Sequence, residues 1–190
     1  MTDDDRMVMR VVSACLQFPD ERLDAVLSAT LTIAEVPSHS GMMKAIRDNF
    51  LPVLGSLPLV KLQEDYTRVF DMNPETSLNL TWHRFGNGRD RGQALMRLLE
   101  SYRVAGFSPK ARELPDYLPM MLEFIAVGPP EQGVRLLREY AGQFSQIALR
   151  LHHSGSPYAI VLDVLVSVAG TILKREGSLR ATRGPSLVTS

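Results

Sequence analysis

The residues best suited to bind an anion lie near the middle of the chain, in the glycine-rich stretch 86–92, GNGRDRG. A glycine-rich loop before a helix can hold a phosphate on its backbone N–H groups, and Arg89 and Arg91 would add positive charge. The stretch lacks the GxGxxG spacing and the preceding strand of a dinucleotide site, and it lacks the Gly-Lys-Ser/Thr of a P-loop. A tight turn before an N-capped helix is therefore the favoured interpretation, and a nucleotide or cofactor site stays open as the alternative.

Candidate metal-binding and catalytic groups are few. His152 and His153 are adjacent, and neighbouring residues on a helix point about 100° apart, so a solvated helix end is favoured over a shared metal ion. His83 has no spaced cysteine partner, and no nucleophile motif surrounds Ser77. An enzyme built on His83 and Asp71 is the least favoured hypothesis. We therefore predict no enzymatic activity, no metal and no cofactor.

Two carboxylates border the most apolar helix-like stretch. Glu123 lies within 120–126, MMLEFIA, where a carboxylate is costly unless it is paired or lies at an exposed edge. It is either the single polar position of a nearly buried helix, which is favoured, or a carboxylate that faces a groove and awaits a cation. Asp116 precedes the same stretch, and its favoured role is to cap the helix.

Helical periodicity dominates the elements that must position these groups. Helices are predicted at 3–16 (with Asp3, Asp4 and Asp5 as candidate caps), 20–31, 38–54, 58–70, 90–105, 116–127, 131–152 and 156–176. Gly106 follows the fifth helix, as glycine does past a helix C-terminus. No alternating strand pattern of useful length is present. The prediction is one all-α domain at 1–176, of seven or eight helices with a long loop in the middle, and a disordered polar tail at 177–190.

Composition excludes several classes of protein. A chain of 190 residues suits one domain with a sizeable core, and 21 basic against 21 acidic residues give no broad basic face for nucleic acid. The single cysteine, Cys15, lies in an apolar run and is predicted to be a core thiol, which fits a reducing compartment. The acidic start lacks a secretory signal, and the apolar stretches are too short and polar for a membrane span. A cytoplasmic location is expected.

The gap segment, 71–92 (DMNPETSLNLTWHRFGNGRDRG), interrupts the helical pattern and contains the only tryptophan, Trp82. Loops of this length are uncommon unless they have a function or are disordered. The segment is interpreted either as a mobile cover over a groove or as a long loop whose Trp82 fills the core beneath it, and the residues alone favour neither.

Three stretches in order carry a resemblance to a known family: 65–71 (DYTRVFD), 78–95 (LNLTWH through RDRGQAL) and 113–124 (ELPDYLPMMLEF). They resemble the nitrate reductase molybdenum cofactor assembly chaperones, the delta-subunit family. That family is similar to the all-helical chaperones of other molybdenum redox enzymes. The resemblance covers about 62–126 by motif and the flanks by helical pattern.

The resemblance implies a non-enzymatic chaperone whose partner is the catalytic (alpha) subunit of a respiratory nitrate reductase. Such a chaperone binds the N-terminal segment of that subunit in the cytoplasm, keeps it competent for molybdenum cofactor insertion, and delays membrane attachment. No nucleic acid partner and no membrane insertion are expected, and the chain would be a monomer or a weak homodimer. The alternatives are a nucleotide- or molybdopterin-dinucleotide-binding accessory protein, and a chaperone of another molybdenum oxidoreductase.

An amphipathic peptide helix can bind with its apolar face in a groove between helices, with charged groups at the rim. Asp116 and Glu123 match the family pattern, whereas Tyr117 stands where the family often has histidine. The predicted peptide-binding residues are Tyr66, Phe70, Trp82, Arg89, Arg91, Asp116, Tyr117 and Glu123.

Overall fold

The computed structural model describes residues 1–22, 36–109 and 113–182. Within these ranges the chain forms eight helices and no strand, which confirms the predicted all-α class. They are α1 (Asp3–Cys15); α2 (Ser40–Ala45, the π-helical Ile46–Phe50 and Leu51–Gly55), which follows a 3-10 turn at Pro37–His39; α3 (Leu59–Tyr66 and the π-helical Thr67–Asp71); α4 (Trp82–Phe85); α5 (Arg89–Val104); α6 (Leu118–Val127); α7 (Pro130–His153); and α8 (Tyr158–Thr182).

The start of α1 shows how local chemistry sets a helix boundary, and it corrects one prediction. Thr2, and not the aspartates, is the N-cap: the Asp5 N–H donates to Thr2 Oγ1 at 3.2 Å, and the Thr2 N–H donates to Asp5 Oδ2 at 2.7 Å. This reciprocal pair is a capping box. Asp3, Asp4 and Asp5 occupy the first turn, where negative charge interacts favourably with the helix dipole.

Helix α6 lies at the centre of the core. Its sequence is apolar almost all round, so it must be covered on most sides. It packs against α1 and α7, α7 packs against α8, and α8 also packs against α1. Only Glu123 and Val127 of α6 reach the surface appreciably, which places the Glu123 carboxylate at an edge of the core.

The C-terminal helix is longer than predicted. Helix α8 continues to Thr182, so the prediction that it ends near Glu176 and that a disordered tail begins at Gly177 was wrong for 177–182. Polar composition suggested a tail, but extending a helix that is already nucleated costs little, and exposed turns can be polar. Residues 183–190, and most of the predicted helix at 20–31, lie outside the described residues.

Other predicted boundaries hold. Gly106, with a φ of 73°, follows Ala105, the C-cap of α5, and Pro58 precedes α3 as its N-cap. Cys15 is buried in the core, as predicted. Over the described ranges, no helix has the length and apolarity that crossing a bilayer requires.

Candidate functional site

The gap segment is anchored to the start of α6, and neither interpretation from the sequence describes it. Leu78 and Leu80 are buried in the core, whereas Trp82 is only half-buried and opens the short helix α4. The Leu80 N–H donates to the Asp116 carbonyl at 3.1 Å, and the Leu118 N–H donates to the Leu78 carbonyl at 2.8 Å. Two leucines therefore fill the core in place of the tryptophan, and backbone hydrogen bonds fix the segment instead of leaving it as a loose cover.

Asp116 is completely buried and holds this attachment together. Its Oδ2 accepts two hydrogen bonds from Thr81, one from the backbone N–H at 3.0 Å and one from the hydroxyl at 2.5 Å. Its Oδ1 has no hydrogen-bond partner among the residues that the structure describes. The N-cap of α6 is Tyr117, without a side-chain capping bond, so the prediction that Asp116 caps the helix was wrong. The carboxylate turns to Thr81 because the gap segment lies beside it.

Arg91 completes what we call the Thr81 junction, formed by Thr81, Trp82, Arg91 and Asp116. The Arg91 Nε donates to the Thr81 hydroxyl oxygen at 3.2 Å, and a guanidinium nitrogen lies 3.9 Å from Asp116 Oδ2. The same guanidinium lies over the Trp82 ring, 5.6 Å from its centroid, at cation–π distance. The junction joins α4, α5 and the start of α6, and its groups are directed at one another.

Two tyrosines meet on a different side of the α6 start. The Tyr66 hydroxyl donates to the Leu16 carbonyl oxygen at 2.8 Å and lies 2.8 Å from the Tyr117 hydroxyl. Because the single Tyr66 proton is directed at Leu16, Tyr117 is the donor between the two hydroxyls. Burial raises the pKa of both phenols, that of Tyr117 to about 12, so both remain neutral donors. The Phe18 ring meets the Tyr66 ring edge-on at 5.3 Å, and Phe70 packs behind Tyr66 at 4.8 Å.

These rings line what we call the tyrosine pocket, a depression of about 350 Å³. Its lining residues are Phe18, Tyr66, Asp71, Asn79, Glu113, Leu114 and Tyr117. Phe18 and Leu114 are 46% and 45% exposed, which leaves apolar surface uncovered at the mouth. Neither Asp71 nor Glu113 forms a salt bridge with any described residue. Burial raises the pKa of Asp71, and a hydrogen bond from Thr67 opposes this shift.

Glu123 lines a second depression, the Glu123 pocket, of about 320 Å³. Its Oε1 accepts a hydrogen bond from the Gln17 amide at 2.8 Å, and Arg10 and Phe107 contribute to the lining. Gln17 and Phe18 are consecutive, and each lines one of the two pockets, so the pockets are neighbours along the end of α1. Together they form a surface that we call the aromatic–acidic face.

The predicted site residues thus fall into separate groups. Tyr66, Tyr117 and Glu123 line the aromatic–acidic face, and Phe70 supports it from behind. Trp82, Arg91 and Asp116 meet at the Thr81 junction, and Arg89 is exposed at the start of α5 and lines neither pocket.

Sequence reasoning missed five lining residues of the tyrosine pocket: Phe18, Asp71, Asn79, Glu113 and Leu114. All except Phe18 stand in the three motif stretches, so those stretches did contain a signal. Phe18 had none, because it lies far from these stretches in the sequence and reaches the pocket only through tertiary packing.

The glycine-rich stretch forms a turn. Gly86 has a φ of 51°, which glycine tolerates, and its N–H donates to the Trp82 carbonyl at 2.8 Å. The Gly88 N–H donates to the Phe85 carbonyl at 2.9 Å, and Gly88 is the N-cap of α5 without a side-chain cap. Two N–H groups that could have bound a phosphate are therefore already engaged, which supports the turn interpretation.

Two of the candidate histidines form contacts at hydrogen-bond distance. His83 Nε2 lies 2.7 Å from the Ser77 carbonyl oxygen, and His152 Nε2 lies 2.8 Å from Asp163 Oδ2 at the exposed end of α7. Among the described residues no three histidine, cysteine or carboxylate groups are placed to hold a metal ion.

Comparison with known proteins agrees with this architecture. The sequence model described as nitrate reductase delta subunit matches residues 40–159. The chain is 33% identical over 167 residues to the nitrate reductase molybdenum cofactor assembly chaperone NarJ of Escherichia coli K12, covering 86% of this chain and 70% of that protein. It is 32% identical over 176 residues to a probable chaperone of the same name from Bacillus subtilis 168, covering 92% and 95%.

A solved structure has the same fold. It is a redox enzyme maturation protein from Archaeoglobus fulgidus, which superimposes with a TM-score of 0.56 over 90% of this chain and 93% of that one, at 19% sequence identity.

Proposed function

The chain belongs to the nitrate reductase delta subunit family, and from this premise we propose that it is the assembly chaperone of a respiratory nitrate reductase. In this proposal it binds the N-terminal segment of the catalytic subunit in the cytoplasm. It keeps that subunit competent for insertion of the molybdenum cofactor and delays membrane attachment until insertion is complete. Its work is binding and release, without a chemical step.

The observation that carries the proposal is the aromatic–acidic face. Its two pockets, of about 350 and 320 Å³, offer exposed apolar surface from Phe18 and Leu114 beside the paired tyrosines. Two neighbouring pockets suit successive side chains on one face of a short helix, because residues three or four apart on a helix project in the same direction.

The charges around these pockets set the chemistry of the segment. Asp71, Glu113 and Glu123 provide three carboxylates, against one guanidinium from Arg10. Such a rim favours a client helix with basic residues beside its apolar stripe, and it disfavours an acidic one, because charges at a rim set orientation and partner choice.

The Thr81 junction has a supporting role in this proposal. Asp116 is enclosed and cannot contact a client in the present conformation, but it fixes the backbone on which Asn79 pairs with Tyr117. Asp116, Arg91 and Trp82 therefore position the tyrosine pocket, and Arg89, which lines neither pocket, has no role in this proposal.

The test is calorimetric titration with a synthetic peptide of about the first fifteen residues of the catalytic subunit from the same organism. We expect micromolar or tighter binding with a negative heat-capacity change, the mark of apolar burial. The double variant Asp71→Asn, Glu113→Gln should weaken binding about tenfold and reduce its dependence on salt.

A matched control removes two carboxylates elsewhere. Asp90→Asn with Glu131→Gln changes the net charge equally, at exposed positions that line neither pocket, and should bind like the unaltered chain. Absence of peptide binding to the unaltered chain, or equal weakening in the control, would refute the proposed site.

The pH dependence offers an independent check. A carboxylate attracts a cationic peptide only when ionised, and the raised pKa of Asp71 means that it is protonated at a higher pH than an ordinary aspartate. As the solution is acidified from neutral pH, affinity should therefore begin to fall at a higher pH than an ordinary aspartate would produce, and this early fall should be smaller in Asp71→Asn.

A further inference from the structure

A larger groove lies between α5 and α7 and shares no residue with the aromatic–acidic face. Its volume is about 580 Å³. We call it the arginine-rimmed groove; an apolar floor comes from Ala94, Leu98, Leu136 and Tyr140, and two cations stand at the edge, Arg97 and Arg135.

The groove exists because the two helices run side by side without close packing of their backbones. They touch through a hydrogen bond from Arg135, early in α7, to the Ser101 hydroxyl, late in α5, at 3.1 Å. Further along α7, Glu139 pairs with Arg84 in α4, the short helix that precedes α5. Met96 is 65% exposed and widens the apolar surface on the α5 side.

The groove is lined by two arginines and two glutamates, and the arginine partners of the two glutamates leave an excess of two cations. Both glutamates at its edge already have arginine partners: Glu139 lies 2.8 Å from Arg84, and Glu100 lies 2.6 Å from Arg103. In contrast, no carboxylate of a described residue lies within 4.0 Å of the Arg97 or Arg135 guanidinium. Arg97 and Arg135 therefore have no ion-pair partner in the part of the chain that the structure describes.

Tyr140 adds a neutral donor to this floor. Its hydroxyl has no hydrogen-bond partner within the part of the chain that the structure describes. Burial raises the pKa of Tyr140 to about 12, with a further rise from Glu139 and opposing effects of Arg84 and Arg97. The phenol thus keeps its proton and can donate it to an anionic group.

We propose that the arginine-rimmed groove is a second docking surface, which binds an amphipathic helix of a partner protein whose apolar stripe is flanked by carboxylates. The exposed Met96 side chain, beside a floor that is itself buried, would contact the stripe. Arg97 and Arg135 would pair with the carboxylates in the bidentate geometry that guanidinium favours. The charge preference is opposite to that of the aromatic–acidic face, so the two surfaces select different segments. The proposal goes beyond the proposed function and does not require it.

The test uses two labelled synthetic peptides of about 14 residues, or four helical turns, with leucine at helical spacing. One carries glutamate beside the leucine stripe, and the other carries lysine at the same positions. Fluorescence anisotropy with the full chain should show the glutamate peptide binding at least about tenfold more tightly in low salt. In Arg97→Glu, Arg135→Glu that preference should reverse, with the helical circular dichroism spectrum unchanged. Tyr140→Phe should weaken binding of the glutamate peptide several-fold.

The control variant is Arg89→Glu, Arg138→Glu, which makes the same change of net charge at exposed positions outside the groove. Equal weakening by this control would overturn the proposal, because general charge attraction would then suffice. Equal binding of the two peptides would also overturn it.

Other occupants give different results, and each would overturn the docking proposal. Thermal stabilisation by GTP or inorganic phosphate that depends on Arg97 and Arg135, without peptide preference, would make the groove a small-anion site. A concentration-dependent dimer that is lost in Arg97→Glu, Arg135→Glu would make it a contact between two copies. Titration with the catalytic-subunit peptide described above should be unaffected by this variant, so the two proposals succeed or fail separately.

Discussion

Replacing Asp116 by alanine is expected to destabilise the folded chain strongly, although the side chain makes hydrogen bonds to only one residue. The carboxylate is completely buried, and its Oδ2 accepts both the backbone N–H and the hydroxyl of Thr81. Alanine would leave both donors without a partner in the interior. The variant would also release the gap segment from the start of α6.

The magnitude follows from opposing contributions. A hydrogen bond to a charged group stabilises by about 1.5–3 kcal/mol, and Thr81 provides two of them. Against this stands the cost of burying a carboxylate whose Oδ1 has no partner and whose nearest cation, Arg91, is 3.9 Å away. The net loss for Asp116→Ala should therefore be about 2–4 kcal/mol, less than two full bonds. In a chain of this length that lowers the melting temperature by about 4–16 °C.

A double-mutant cycle isolates the contact. Thr81→Val removes the hydroxyl and keeps the backbone donor, and should cost about 1–2 kcal/mol. Combined with Asp116→Ala, it should show a coupling free energy of about 1–2 kcal/mol by urea unfolding followed by circular dichroism. The exposed Glu64→Ala, which breaks a surface pair with Lys61, should cost at most about 1 kcal/mol.

A coupling near zero would show that the Thr81 hydroxyl and Asp116 do not share a hydrogen bond in solution. A melting temperature of Asp116→Ala within about 2 °C of the unaltered chain would refute the argument that a buried carboxylate holds the segment. Client-peptide binding adds a second readout: if Asp116 only positions the tyrosine pocket, binding should weaken in Asp116→Ala and recover when stabilising conditions restore the fold.

Two further predictions concern packing and burial. Gly128→Ala should destabilise the folded chain by about 1–3 kcal/mol, because the added Cβ would lie 2.8 Å from the Phe124 carbonyl oxygen. Gly142→Ala, on α7, should stabilise it by about 0.5–1 kcal/mol, because the added Cβ would meet open space. Equal shifts of the melting temperature in the two variants would contradict this packing. Cys15 is buried, and burial raises its pKa to about 12. The thiol should therefore resist thiol-reactive reagents in the native state and react promptly in denaturant. Fast labelling of the native protein would mean that α1 opens readily.

Much of the secondary structure could be predicted because its causes are local. Gly106 and Pro58 mark helix boundaries through their own backbone preferences. The continuous apolar sequence of α6 predicts a helix in the core. The same local reasoning was wrong about the N-cap of α1. Thr2 caps the helix instead of the aspartates, because the cap must precede the first turn in order to accept its free N–H groups.

The site could be predicted only in part, because its contacts join distant parts of the chain. Tyr66 reaches the Leu16 carbonyl across 50 residues of sequence, and Thr81 reaches Asp116 across 35. No periodicity encodes such pairs. The motif stretches contained the right residues, but nothing in them distinguishes Tyr117, which lines a pocket, from its neighbour Asp116, which is enclosed.

The sequence by itself determined the all-α class and the family, because helical periodicity and short motifs depend on residue type and spacing along the chain. It also excluded a broad nucleic-acid-binding face through its balanced charge. Only the tertiary structure decided which polar groups face solvent and which face one another. Packing placed Asp116 inside, Asp71 and Glu113 at the rim of an aromatic pocket, and Arg97 and Arg135 above an apolar groove, because burial and ion pairing depend on neighbours that the chain brings together only when it folds.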